Sequence, residues 1–137
     1  MQATSAGYRE LEHTADWELE VWAPDLPGLL EQAARGMYSL ADVQLEVGPR
    51  QKHSIEIEAA DRETLLVNFL SEILYYGEHQ GLGFDVFKLD WDGNRLSAHL
   101  EGARIQSMDK EIKAVTWHNL NVQMGDKGLE ARVVFDV

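Results

Sequence analysis

The sequence predicts a single α+β domain in which two main helices pack on a mixed or antiparallel β-sheet of about six to seven strands. Three observations lead to this prediction. Two stretches carry apolar residues at helical spacing, several others alternate apolar and polar residues, and no linker or low-complexity segment divides the 137 residues. We therefore treat residues 1–137 as one domain, which can bury roughly two thirds of the surface of its unfolded chain.

The two helices are predicted from their ends as well as from their periodicity. The first is expected to follow Asp25 and to end near Asp42. The second is expected to begin after the N-cap Asp61 and to be stopped by Gly77 and Gly81. Each has one apolar face, formed by Leu26, Leu29, Leu30, Ala33, Ala34, Met37 and Leu40 in the first helix and by Leu65, Leu66, Phe69, Leu70, Ile73 and Leu74 in the second.

The remaining segments show the period-two alternation of half-buried strands. Leu19 and Val21 alternate with Glu18 and Glu20, which predicts a strand with one face in water. Further strands are expected at 55–59, at 84–90 and 95–101 around a turn at 92–94, and at 113–124 and 129–136 around a turn at 125–128.

Charge is the strongest signal in the composition. The chain has 24 acidic and 12 basic residues, a formal net charge of −12, and residues 1–47 alone carry nine acids against two arginines. Such a surface repels phosphate backbones, and the one modest basic group, Arg104, Lys110 and Lys113, is diluted by neighbouring acids. We expect basic proteins or cations as partners and no tight direct binding to nucleic acid, although the acidity could serve solubility alone.

The composition also bears on compartment and on metal ligands. The chain has no cysteine, so a bound metal must be held by oxygen or imidazole, and no disulfide framework can form. The first residues lack the basic and apolar regions of a secretion signal, and no stretch reaches the roughly 18 apolar residues of a membrane span. We expect a cytoplasmic protein that does not enter the membrane.

The sequence lacks the motifs of several enzyme classes. It contains no GxxxxGK[ST] phosphate loop and no GxSxG elbow, and its five histidines form neither HExxH nor a pair at i, i+4. These absences disfavour nucleotide binding through a phosphate loop, serine hydrolysis and zinc hydrolysis.

Carboxylates near the two ends of the chain form the remaining candidate site. Asp16 leads into the first predicted strand, and Asp136 is followed at once by the main-chain carboxylate of Val137. Hard cations such as Ca²⁺ prefer oxygen ligands, and a cation between clustered carboxylates relieves their repulsion. Equally, an Asp before a strand often forms a turn and a final Asp is often solvated. A shared site requires the first and last strands to pair.

Five blocks resemble the archease family over almost the whole chain, from about Tyr8 to Val137. They are EHTAD at 12–16, APDLPGLLEQAARGMY at 23–38, LLVNFLSEILY at 65–75, EIKAVTWHNL at 111–120 and RVVFDV at 132–137. The blocks occur in the family's order, which makes the resemblance specific.

The resemblance implies an archease-like fold and a function. It implies a protein without catalysis of its own that binds a divalent cation, most often described as calcium. This protein activates the GTP-dependent RNA-splicing ligase that joins RNA ends in tRNA splicing and RNA repair. Carried over position by position, the family's metal ligands fall on Asp16, Asp136 and Val137.

Three further residues are candidates for activating the partner. Glu111 and Lys113 match functional positions of the family, and His13 lies in the same block as Asp16. The ordinary alternative for Glu111 and Lys113 is an ion pair on a strand face. The chain departs from the family at Trp117, where Tyr is common, and over residues 102–110, which match less well.

The resemblance also implies how the activator works, by promoting the ligase's covalent guanylate intermediate and its multiple turnover. An enzyme that binds RNA and GTP must present a basic cleft, so we expect an acidic partner to dock there transiently and in a salt-sensitive way. Two alternatives remain open. One is a stand-alone divalent-metal-dependent hydrolase that uses Asp16, Asp136 and His13, and the other is a general protein chaperone, which would need a large exposed apolar surface.

Overall fold

Two helices and two antiparallel sheets make up the computed structural model, which describes residues 6–11 and 17–137. The helices are α1 (Leu26–Ala41) and α2 (Arg62–Gln80). The strands are β1 (Gly7–Leu11), β2 (Trp17–Ala23), β3 (Gln44–Leu45), β4 (Gln51–Glu58), β5 (Leu82–Trp91), β6 (Arg95–Ser107), β7 (Ala114–Val115), β8 (Gln123–Gly125) and β9 (Gly128–Asp136). None of the described helices is long and apolar enough to cross a membrane.

The strands form one sheet of five and one of four. The first has the order β1-β2-β9-β7, with β8 also paired to β9, and the second has the order β3-β6-β4, with β5 also paired to β6. The helix α1 packs on β2 and β5, and α2 packs on β4, β5 and β7, so both helices bridge the two sheets. The predicted α+β class is confirmed.

Both helices begin where predicted, after Asp25 and after the N-cap Asp61. The side chain of Asp25 accepts a hydrogen bond from Gly28 N at 2.8 Å, and that of Asp61 accepts one from Thr64 N at 2.7 Å. The prediction that Gly77 stops α2 is wrong, because the helix continues to Gln80. A single glycine inside a helix costs only about 1 kcal/mol relative to alanine, which a long buried helix tolerates.

The predicted strand at 113–124 is also wrong, because the structure divides it into β7 and β8. Both pair with β9, but seven residues, 116–122, span the interval that four residues, 131–134, span on β9. The extra residues leave the sheet in a turn that contains Asn119, whose φ of 52° is left-handed. Apolar residues in the segment suggested a strand, whereas a left-handed residue is incompatible with continuous pairing.

The core lies between the helices and the inner faces of the sheets. Leu19, Val133 and Phe135 are fully buried, in agreement with the predicted alternation. Glu18, by contrast, was predicted to face water and is only 8% exposed, opposite Val134, which is 7% exposed. The outer face of the first sheet is therefore shielded from solvent at the Glu18–Val134 pair.

Candidate functional site

The pairing of β2 with β9 forms the frame of the candidate site. Their register places Trp17 opposite Phe135. Trp17 directly follows Asp16 in the sequence, and Phe135 directly precedes Asp136. The strand that follows the first predicted ligand is thus hydrogen-bonded to the strand that carries the second. Asp16 itself lies outside the described residues.

Asp136 is exposed at the end of β9 and is held there through its backbone. Its carbonyl oxygen accepts a hydrogen bond of 2.8 Å from the N–H of Lys113, and Ala114 is its partner across the sheet. Val137 is half-buried and packs against the core. Within the part of the chain that the structure describes, no basic side chain forms an ion pair with the Asp136 carboxylate. That carboxylate is therefore open to a cation from solution.

The donor chemistry at this end of the sheet fits a hard cation. The Asp136 carboxylate and the main-chain oxygens of Val137 are the oxygen donors that calcium prefers. Over residues 6–11 and 17–137, no three His, Asp or Glu side chains come together as a metal-binding group. Of the three predicted ligands, the structure describes Asp136 and Val137.

The other acids of this sheet face are engaged by neighbours. The Glu20 carboxylate lies 2.8 Å from Arg9, 3.6 Å from Arg132 and 3.8 Å from Lys127, and Arg132 also lies 3.7 Å from Glu18. Such pairs add little to stability at a surface, but they neutralise the carboxylates locally. Glu18 and Glu20 are therefore poorer cation ligands than Asp136.

The residues that precede β7 lie beside the same end of the sheet. The ammonium group of Lys110 lies 4.3 Å from the ring centroid of Trp17, a cation–π contact that the sequence analysis missed. Glu111 and Lys113 are exposed, and neither forms an ion pair within the described residues. The ordinary alternative, a strand-face ion pair for each, is therefore not seen there. His13, the third candidate for partner activation, lies outside the described residues.

A second feature that the sequence analysis missed is an apolar groove between the two helices and residues 105–112. Its lining includes Ile105, Met108 and Ile112. The signal in the sequence was a lone apolar residue, Met108, in the polar run from Gln106 to Lys110. Helical or strand periodicity cannot identify such a residue, because the groove is formed by segments far apart in the chain.

Comparison with known proteins gives a family match over nearly the whole chain. Residues 8–137 match the model of the "Archease protein family (MTH1598/TM1083)". Protein archease from Archaeoglobus fulgidus is 33% identical over 135 residues, which cover 95% of this chain and 98% of that protein. Protein archease from Methanopyrus kandleri is 33% identical over 138 residues, which cover 95% of this chain and 99% of that protein.

Solved structures show the same fold. The solution structure of Methanobacterium thermoautotrophicum protein 1598 superposes with a TM-score of 0.71 at 25% identity, covering 96% of this chain and 99% of that one. The crystal structure of a Thermotoga maritima protein, described as an archease and possible chaperone, gives a TM-score of 0.71. At 22% identity over 94% of this chain and 96% of that one, the second likeness bears on the fold alone.

Proposed function

Because this chain belongs to the archease protein family, we propose that it is an accessory protein, without catalysis of its own, that activates a GTP-dependent RNA-splicing ligase. We further propose that it binds a divalent cation, calcium in the first place, through Asp16, Asp136 and Val137. Its role in tRNA splicing and RNA repair would be to promote formation of the ligase's guanylate intermediate and its multiple turnover.

The observation that carries the proposal is the Trp17–Phe135 pair. It joins the strand that follows Asp16 to the strand that ends at Asp136. Without this pairing, Asp16 and Asp136, which are 120 positions apart in the sequence, could not bind the same ion. The Asp136 carboxylate adds support, since it is exposed and, among the described residues, has no basic partner.

Calcium would be held by hard oxygen donors, and its charge would offset the repulsion between carboxylates and attract phosphate oxygens. The chain's own residues do the positioning. The bond from Lys113 N to the Asp136 carbonyl, 2.8 Å long, fixes the backbone from which that carboxylate projects. The side chains of Glu111 and Lys113 are exposed in the segment that this bond joins to Asp136, where a docked partner can reach them.

The charge distribution supports a protein partner rather than direct nucleic-acid binding. A net charge of −12 favours docking on the basic cleft that a ligase needs for RNA and GTP. Two residues of the basic group Arg104, Lys110 and Lys113 already contact other side chains of this chain. Arg104 lies 3.7 Å from a carboxylate oxygen of Glu46, and Lys110 lies over Trp17.

The chaperone alternative has weaker support in the described structure. A general holding function needs a contiguous exposed apolar surface. Few large apolar residues are exposed in the described chain, and each comes from a different part of the sequence, namely Val47, Tyr75, Val86, Met108, Trp117 and Met124. The chaperone description attached to the T. maritima protein does not extend to this chain at 22% identity.

The test is a guanylylation assay with the purified ligase, GTP and either wild-type protein or a variant. Asp136→Asn and Asp16→Asn should abolish stimulation and should also remove calcium binding in a calorimetric titration, because each deletes one anionic ligand. The matched control is Asp126→Asn, which makes the same charge change in the exposed turn between β8 and β9. This control should stimulate like the wild type.

Full stimulation by both folded ligand variants would remove the metal site from the mechanism. The hydrolase alternative is tested separately with the protein alone. Incubation with RNA or a phosphoester and Mg²⁺, Mn²⁺ or Ca²⁺ should give no turnover. Turnover that is lost in Asp136→Asn would replace the accessory role with an enzymatic one.

A further inference from the structure

A groove of about 280 Å³ lies between α1, α2 and residues 105–112, and we refer to it as the α1–α2 groove. Met37 from α1 and Ile73 from α2 form its floor, and each is 1% exposed. Ile105, Met108 and Ile112 form the facing wall, and Met108 is 42% exposed. A cavity just below the usual size range of ligand pockets suits one large aliphatic or aromatic side chain.

The wall of the groove is held in place by the end of α1. The N–H groups of Asp109 and Lys110 both point to the carbonyl oxygen of Ala41, at 2.9 and 3.3 Å. Ile112, at the other end of the wall, is only 8% exposed and belongs to the core. The groove is therefore largely formed before anything binds, which reduces the entropy lost on binding. Met108 is unbranched and can adapt to the shape of an occupant.

The charge around the groove selects the kind of occupant. Glu78 and Glu111 are exposed members of its lining, and none of the described lining residues is Lys or Arg. An occupant with an apolar side chain between Lys or Arg residues packs against the apolar walls and pairs with these carboxylates. A second copy of this chain is a poor candidate, because two molecules of net charge −12 repel each other.

One short segment of the chain connects the groove to the candidate metal site. Met108 forms its wall, and Lys113 donates to the Asp136 carbonyl at 2.8 Å. Five residues span at most about 18 Å even when fully extended. A protein that covers the exposed Asp136 carboxylate therefore also lies within reach of the groove.

We propose that the α1–α2 groove is the anchoring half of a two-part docking surface whose other half is the candidate metal site. It takes an aliphatic or aromatic side chain carried on a Lys- or Arg-rich segment of the partner protein. The identification of that partner as the ligase rests on the proposed function. Burial of one such anchor in a desolvated pocket is the usual source of most binding energy at an interface, while the surrounding charges contribute mainly to orientation.

The experiment measures the dissociation constant between the purified ligase and variants of the full chain. Met108→Lys places a cation at the mouth of the groove, and Glu78→Lys reverses one carboxylate of its lining. Each should raise the dissociation constant roughly tenfold or more, because anchor pockets carry a large share of the affinity. Both residues are exposed, so both variants should fold, as a thermal melt would show.

Matched controls make the same changes outside the groove. Met124 on β8 is 69% exposed, and Glu72 is exposed on the same helix as Glu78. Met124→Lys and Glu72→Lys should change the dissociation constant by no more than about twofold. Calcium binding should be unaffected in Met108→Lys, which separates damage to the groove from damage to the metal site.

Methionine methyl NMR provides an independent readout on the wild-type chain. Met37 and Met108 line the groove, whereas Met124 does not. With ¹³C-methyl methionine, addition of the ligase should shift the first two signals and leave that of Met124 in place. Equal shifts at all three, or a shift at Met124 alone, would overturn the groove as the docking site.

The outcomes separate the two proposals. If the wild type stimulates the ligase and Asp136→Asn does not, while Met108→Lys and Glu78→Lys bind like the wild type, the groove proposal is wrong and the proposed function stands. If the wild type neither binds nor stimulates the ligase, the proposed function is wrong, and the occupant assigned to the groove is wrong with it. A wild-type dimer in light scattering that becomes monomeric in Met108→Lys would assign the groove to a second copy instead.

Discussion

The hydroxyl of Tyr38, on α1, accepts a hydrogen bond of 2.9 Å from the backbone N–H of Phe84, on β5. Phe84 is 2% exposed and lies where the pairing of β5 with β6 is interrupted by a register shift. Its N–H therefore depends on a side chain rather than on the sheet. Tyr38→Phe leaves this buried donor unpaired and should lower the free energy of unfolding by about 1–3 kcal/mol.

Chemical denaturation at pH 7 measures this loss. Tyr75→Phe is the matched control, because Tyr75 is 52% exposed on α2 and its hydroxyl forms no hydrogen bond within the described residues. The control should change the free energy of unfolding by no more than about 0.5 kcal/mol. Equal effects of the two variants would show that the Tyr38–Phe84 bond does not contribute to stability.

The same tyrosine makes stability depend on alkaline pH. Burial raises the pKa of Tyr38 well above its ordinary value, so the folded chain keeps the phenolic proton at a pH where the unfolded chain, with a pKa near 10, releases it. The contribution of this group is complete below about pH 10 and is lost as pH rises further. The stability difference between wild type and Tyr38→Phe should therefore shrink above that pH. Denaturation curves between about pH 8 and pH 11 would contradict this if the difference stayed constant.

Replacing each of two glycines by alanine should change the stability of the protein in opposite directions. A Cβ on Gly102 would lie 1.7 Å from the carbonyl oxygen of Gly83, a backbone atom that no rotamer change can move. A Cβ on Gly77 would meet Ile105 Cδ1 at 3.7 Å, an ordinary contact. Gly102→Ala should cost at least about 3 kcal/mol, whereas Gly77→Ala should stabilise α2 by about 0.5–1 kcal/mol.

Thermal unfolding of both variants tests the pair. The melting temperature should fall strongly for Gly102→Ala and rise by a few degrees for Gly77→Ala. A loss of stability in Gly77→Ala would mean that the helix backbone near Gly77 requires glycine, contrary to the space around it. The ligase assay is a useful companion measurement, because Gly77 also lines the α1–α2 groove.

The helices could be predicted from the sequence because their determinants are local. The caps Asp25 and Asp61 lie within three residues of the N–H groups they satisfy. The division of the predicted strand at 113–124 into β7 and β8 could not be predicted in the same way. It depends on how residues 116–122 leave the sheet beside β9, and strand propensity does not describe such a relationship between segments.

The candidate site also has one part that the sequence could predict and one part that depends on the fold. The residues alone pointed to Asp16, Asp136 and Val137, since clustered oxygen ligands suit a hard cation. The contact of Lys110 with Trp17 and the wall formed by Met108 could not be predicted, because both depend on which segments the fold brings together. The burial of Glu18 is a further case, since alternation predicts the direction of a side chain and not what covers it.

Docking on the ligase should depend on salt mainly through the association rate. Steering by a chain of net charge −12 acts over distances that salt screens, with a Debye length of about 10 Å at 0.1 M. Raising NaCl from about 50 to 500 mM should lower the association rate roughly tenfold or more and change the dissociation rate much less. Stopped-flow mixing with labelled ligase measures both rates. An association rate independent of salt would exclude electrostatic steering.

Calcium should stabilise the folded chain through Asp136. A ligand that binds only the folded state adds about 2.7 kcal/mol at a concentration 100 times its dissociation constant. The melting temperature of the wild type should therefore rise with added CaCl₂ and return to its starting value with excess chelator. Asp136→Asn should show no rise, because it lacks the exposed carboxylate, whereas Asp126→Asn should respond like the wild type. An equal rise in all three proteins would place calcium at another position or on the acidic surface in general, and the Trp17–Phe135 pair would then frame no metal site.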